Sequence, residues 1–266
     1  MLKNALLLLS LCLAASAVIA GPLPPGENSL EEAQEREPCK VQQVGAVLGP
    51  RLKLNFEREA QEVFEVACKP HPVKPGLTLA TLVHVVRSRQ GKVDKERRGF
   101  AVAVLDLDGG KVVSLFRETI AVGETDSISS LRLDTARYNL APGVRALGVR
   151  MDIDDGFRCV QSRENSYLHL FVEEGTKLRR VLKGLPMESW QLVDTEVVCN
   201  PGPHLEESSS RSVVVLPTRS EGWSDLQITA TRTLETIGAE DGQTHPKVSK
   251  VLEQTLRARN KSYVFQ

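Results

Sequence analysis

Two apolar runs, residues 100–105 and 112–116, meet at Asp108-Gly109-Gly110-Lys111. Glycine reaches the positive φ angles of a tight turn without steric cost, so residues 99–118 read as a β-hairpin. Side chains alternate along a strand. Phe100, Val102 and Val104 therefore share one face and Ala101, Ala103 and Leu105 the other. Both faces are apolar, which is the pattern of a central strand covered on two sides.

A similar pattern recurs when residues 104–116 are laid over 170–182. Asp108-Gly109-Gly110-Lys111 then matches Glu174-Gly175-Thr176-Lys177, and Val112, Leu115 and Phe116 fall on Leu178, Val181 and Leu182. This is either an internal repeat or the same turn chemistry used twice. Further strand signals lie at residues 61–68, 77–89, 128–133, 144–151, 190–199, 212–216 and 225–232. The end of the chain reads as a hairpin turning at Asn260-Lys261. Residues 92–98 read as a solvated loop, 138–143 as a turn and 200–211 as a linker. The fold class expected is all-β and mostly antiparallel, a β-sandwich or a propeller-blade-like meander with repeated hairpins.

The first twenty residues have a different character. Lys3 precedes an apolar stretch over residues 5–13, and Val18-Ile19-Ala20 or Ala15-Ser16-Ala17 offers a small-residue cleavage site. That is the pattern of a secretory signal peptide over 1–20, too short in its apolar part for the ~20 residues of a spanning helix. Residues 21–38 are proline-rich and then acidic, and read as a flexible tail that cannot bury enough apolar surface to order itself. Residues 39–266 form the β-rich exported domain, which could divide into halves at 39–155 and 156–266. No later apolar run approaches spanning length, so no transmembrane segment is expected in the mature chain. The expected location is exported, periplasmic or secreted.

In an oxidising compartment the four remaining cysteines, Cys39, Cys68, Cys159 and Cys199, imply two disulfides. Pairing Cys39 with Cys68 and Cys159 with Cys199 keeps each bridge within one half, each contributing ~3 kcal/mol if unstrained. The spacing lacks the Cys-x-x-Cys pairs of zinc sites.

Lysine plus arginine and aspartate plus glutamate number 34 each, a balance that gives nucleic acid no electrostatic foothold. Two acidic turns invite calcium: Asp106 and Asp108 before Gly109, and Asp152, Asp154 and Asp155 before Gly156. The later carboxylates of a known calcium loop are missing, and no other cofactor is implied. None of the five histidines has zinc-protease spacing, and no Gly-x-Ser-x-Gly elbow occurs. His84 and His169 sit in apolar strand runs and read as structural; His71, His204 and His245 neighbour prolines and read as loop residues. Trp190, Trp223, Tyr138 and Tyr167 are candidates to line a carbohydrate or peptide groove, or else core. The expectation is a non-catalytic binding protein that engages a protein or glycan of the cell envelope through loops on an all-β scaffold. The rivals are a hydrolase with a dispersed active site and a structural envelope component.

Overall fold

In the computed structural model, residues 41–54, 62–88, 90–122, 127–154, 160–193, 203–238 and 246–265 are described. The leader and tail, Cys39, Asp155, Cys159, Cys199 and His245 lie outside them. Among the described residues eleven strands form one sheet: β1 (Val63–Pro70), β2 (Thr78–Arg87), β3 (Val93–Asp106), β4 (Lys111–Ala121), β5 (Ser127–Ala141), β6 (Val144–Asp154), β7 (Ser162–Glu174), β8 (Lys177–Leu192), β9 (His204–Ser220), β10 (Trp223–Ile237) and β11 (Lys247–Leu256). The order β1-β2-β3-β4-β8-β7-β6-β5 sets two four-stranded antiparallel meanders side by side. The fold is all-β and built of hairpins, as expected. Strands from both sides of residue 155 share the sheet, since β6 pairs β7.

Strand β3 is the centre of the first meander. Phe100 to Leu105 are each wholly buried, and the alternation divides them between two cores. Phe100, Val102 and Val104 enter an interior that also takes Leu79 and Val83 from β2, Leu131 and Leu133 from β5, Leu147 and Val149 from β6, and Phe171 from β7. The sheet curls to enclose this interior, bringing β5 back against β1 and β2. Ala101, Ala103 and Leu105 face outward, beneath a helix α1 (Val41–Leu52) that places Val44 and Leu48 on them. Small alanines let the helix approach the sheet closely. A third core lies outside β7 and β8. Strands β9 to β11 fold over it, with Leu168, Leu170, Val181 and Leu185 beneath Leu226, Ile228 and Leu256.

Helix α1 is absent from the sequence reading. Gly45, Gly49 and Pro50 mask it by propensity, although Val41, Val44, Val47, Leu48 and Leu52 follow helical spacing. Residues 204–211 are strand rather than linker, because β10 supplies a continuous ladder from His204↔Ile237 to Ser212↔Thr229. Residues 93–98 are likewise strand, their charged side chains solvated while the backbone pairs with β2 and β4. Strand β5 continues through Ala141, leaving only Pro142-Gly143 as the turn. At the end of the chain Arg259 and Ser262 exchange backbone hydrogen bonds of 2.9 and 3.0 Å around Asn260-Lys261, both at positive φ, so the expected turn is present.

The two similar hairpins stand next to one another, joined where β4 runs parallel to β8 at Leu115↔Lys177. Their turns differ. Four residues separate Asp106 from Lys111, whereas Gly175-Thr176 alone separate Glu174 from Lys177. Their packing differs too, since Leu115 lies under α1 and Val181 beneath β9 to β11. The likeness therefore lies in the acid-Gly-x-Lys sequence and does not extend to turn length or packing.

The β4–β8 seam is thin in backbone pairing and is reinforced by side chains. Arg180 makes a forked ion pair with Glu118 while its guanidinium lies 5.2 Å from the centre of the Phe116 ring. Nearby, Glu173 on β7 accepts from Lys74 Nζ at 2.9 and 2.8 Å and from His71 Nε2 at 3.1 Å. His71 Nδ1 in turn accepts the Val73 and Lys74 N–H groups at 3.2 and 3.1 Å, so the buried imidazole is neutral and fixed in one tautomer. It is a loop residue, as expected, but one that ties the β1–β2 connection across to β7.

His169 projects into the interior beside Phe100 and Phe171, with Nδ1 accepting the Gly184 N–H at 3.2 Å. Burial, reinforced by Arg180 and Lys183, lowers its pKa to about 4. The unfolded chain therefore takes up a proton near pH 6.5 that the folded protein refuses until about pH 4. Stability should be complete above the unfolded pKa and fall by roughly 3 kcal/mol across that window as pH drops. Urea unfolding from pH 7.5 to 4 should show this slope, and His169→Phe should remove most of it.

Candidate functional site

Backbone register places four side chains in a row across β7, β8, β9 and β10: Arg163↔Trp190, Trp190↔Ser208 and Ser208↔Thr233. Directly opposed residues of antiparallel strands project to the same face, so these side chains form one strip. The next row is Asn165↔Glu188, Glu188↔Ser210 and Ser210↔Thr231. Together with Glu206 the residues of these two rows, Thr231 excepted, line a cleft of about 390 Å³ that includes Trp190. The indole is half-buried. Asn165 is locked in place, its Oδ1 accepting the Ile153 N–H at 2.9 Å. Burial raises the pKa of Glu206, with the facing Glu235 adding to the shift and His204 opposing it.

A second, smaller cleft of about 220 Å³ is bordered by Arg163 and Trp190 too, but its remaining polar lining, Gln191, Glu207, Arg211 and Arg232, is engaged within the protein. Glu207 accepts from Gln191 Nε2 and Arg232 at 3.2 Å each, and Arg211 donates to the Pro186 carbonyl at 3.0 Å. Ser209 Oγ is buried there without a partner. The Trp190 face differs in offering groups not consumed by internal pairs: among the described residues the Trp190 indole and the Glu188 carboxylate make no side-chain hydrogen bond or ion pair. That contrast selects it.

The other aromatic candidates go elsewhere. Tyr138 and Trp223 are buried in the core beneath β9 to β11, and the Tyr138 hydroxyl donates to Asp134 Oδ2 at 3.0 Å. Tyr167 is half-buried on β7, opposite Met151 and Pro186. His204 opens strand β9 rather than lying in a loop, because the β10 ladder reaches it.

The acidic turns lie at opposite ends of the strands. Asp106 ends β3 beside the β3–β4 turn, while Asp152 and Asp154 lie at the far end of β6. Asp106 accepts the Gly109 N–H at 2.8 Å and pairs with Lys111 at 3.5 Å, an ordinary side-chain-closed turn. Asp108 lies in that turn. Asp152 accepts from Ser130 and lies 3.6 Å from Arg132, and Asp154 lies 3.8 Å from Arg163. No cluster of three or more metal-binding side chains occurs among the described residues. A histidine and a carboxylate, His84 and Glu118, do line one cleft, but Arg180 holds the Glu118 carboxylate. Among the described residues no helix is long and apolar enough to cross a membrane.

No family model, curated protein or solved structure matches this chain. The site must therefore be judged on its own chemistry. Since protein donors already engage Asp106, Asp152 and Asp154, calcium should produce no binding heat in calorimetry, and a chelator should leave the melting temperature unchanged. A calcium heat that disappears in Asp106→Asn would establish the first turn as a metal site.

Proposed function

We propose that this is an exported, non-catalytic binding protein whose Trp190 face takes a glycan. The observation that carries the reading is the half-buried indole set among hydroxyl, amide and carboxylate groups on four adjacent strands. An aromatic face packs against the C–H surface of a sugar ring while surrounding polar groups exchange hydrogen bonds with its hydroxyls. Strands hold such groups more rigidly than loops do, so less ordering entropy opposes binding. The signal-like leader supports an exported location, where a mature protein meets glycans. This relocates the recognition surface from loops, where sequence alone suggested it, to a sheet face.

The test uses the protein's two tryptophans. Trp223 is only 7% exposed, so a ligand-induced change in emission reports on Trp190. A glycan array should identify a saccharide whose titration shifts that emission, and Trp190→Ala should weaken its binding by about 2 kcal/mol, roughly thirtyfold. An array without retained saccharides, or binding that survives Trp190→Ala, overturns the reading.

Export also bears on the cysteines. Cys68 on β1 is disulfide-bonded, and no pair has both members among the described residues. Cys39–Cys68 and Cys159–Cys199 are the pairings proposed. The Leu192 N–H donates to the Gln161 carbonyl at 2.8 Å, which brings together the chain segments leading toward Cys199 and Cys159. Peptide mapping without reductant should recover those two linked pairs; a Cys68–Cys159 or Cys68–Cys199 peptide would refute the assignment.

A further inference from the structure

Helix α1 covers only part of the outer face of β2, β3 and β4. It seats on Ala80, Leu82, Ala101 and Ala103 and ends at Leu52, after which Lys53, at positive φ, turns the chain away. Beyond the helix end the sheet continues with His84, Gly99 and Thr119 in one row, and Arg117 in the row before it. The result is a cleft of about 660 Å³ with Leu52, Leu54 and Val86 as apolar lining and Lys53, His84 and Arg117 as polar lining.

His84 is unusually well defined. Its ring lies across Gly99, where a Cβ would sit 2.1 Å from Cε1 and 2.2 Å from Nε2. Only glycine leaves room for it. Nδ1 lies 2.7 Å from the Val85 carbonyl, which can only accept, so Nδ1 carries the hydrogen. Nε2 is then an acceptor, and it makes no hydrogen bond among the described residues. Burial lowers the pKa of the ring and favours this neutral form. Two other charged groups of the cleft are occupied, Arg87 by Glu62 at 2.8 Å and Glu118 by Arg180. Lys53 and Arg117 are exposed and have no ion-pair partner among the described residues.

We propose that this cleft is a second ligand site, for a small organic carboxylate that carries a neighbouring hydroxyl or N–H. Arg117 and Lys53 hold the carboxylate, Nε2 of His84 accepts the hydrogen from the neighbouring donor, and the apolar substituent rests on Leu52, Leu54 and Val86. A cation pair alone would take any anion. The fixed acceptor on His84 makes the site selective for one that brings a donor, because without it Nε2 is desolvated unpaired.

A matched pair of probes tests this: 2-hydroxy-4-methylpentanoate and 4-methylpentanoate, identical but for the hydroxyl. With isotope-labelled histidine, the hydroxy acid should shift the His84 Nε2 resonance and bind at least about tenfold more tightly than its analogue. N-acetyl-leucine, which supplies an N–H instead, should behave like the hydroxy acid. Arg117→Ala should weaken every probe, and His84→Phe should abolish only the difference between the matched pair. Gly99→Ala, which displaces the ring, should reproduce the His84→Phe result if it folds; His84→Phe decides the matter if it does not. Equal affinity for the matched pair, a silent Nε2 resonance, or discrimination that persists in His84→Phe overturns the proposal. None of these outcomes bears on the Trp190 face.

Discussion

The second edge of β8 governs how the molecule is put together. Its first edge is paired with β7 along most of its length, and the other edge is shared by three partners in succession. The Leu115 N–H of β4 donates to Thr176 at its start, the Tyr263 N–H donates to Val181 at its middle, and β9 pairs with residues 188–192 at its end. A buried strand cannot leave its N–H and C=O groups unpaired without a cost of about 1–3 kcal/mol each. Residues far apart in sequence are therefore drawn to one edge. The first meander, the C-terminal turn and the β9–β11 sheet all meet there.

Where backbone pairing along that edge is sparse, side chains take over. Arg180 and Glu118 span the gap between β8 and β4, and Arg179 donates to the Lys261 carbonyl at 2.9 Å while pairing with Glu174 at 2.7 Å. Charged groups in such positions are tolerated because each is matched and hydrogen-bonded; an unmatched charge at the same depth would cost far more than the pair contributes. The two buried histidines follow the same logic in neutral form. Each has a ring nitrogen satisfied by backbone N–H groups, and each becomes a liability only on protonation.

The two candidate sites arise where covering elements end. The β9–β11 sheet covers β7 and β8 on one face and leaves Trp190 on the other, and α1 covers the alanines of β2 and β3 and stops short of His84. In both places a regular, rigid surface carries polar groups whose partners are not supplied by the fold. The alternation in β3, the hairpin turns and the Asn260-Lys261 reversal were legible in the chain, because each depends on neighbours within a few residues. Helix α1 and the first half of β9 were not. Their local propensities are poor, and they exist because a sheet face and a long partner strand stabilise them.

Sequence by itself determined an all-β chain of hairpins with a central strand buried on both faces, because period-two alternation and glycine turns are local properties. It also marked Trp190 as one of four possible contact aromatics. Tertiary structure decided which of the four lies in a cleft, since register across four strands, not position along one, sets the neighbours of an indole. It likewise decided the character of His84: Gly99 on the next strand and the end of a helix more than thirty residues away leave its ring nitrogen facing a cleft rather than a core. Contacts of that kind depend on how distant segments fill space, and no short stretch of sequence encodes them.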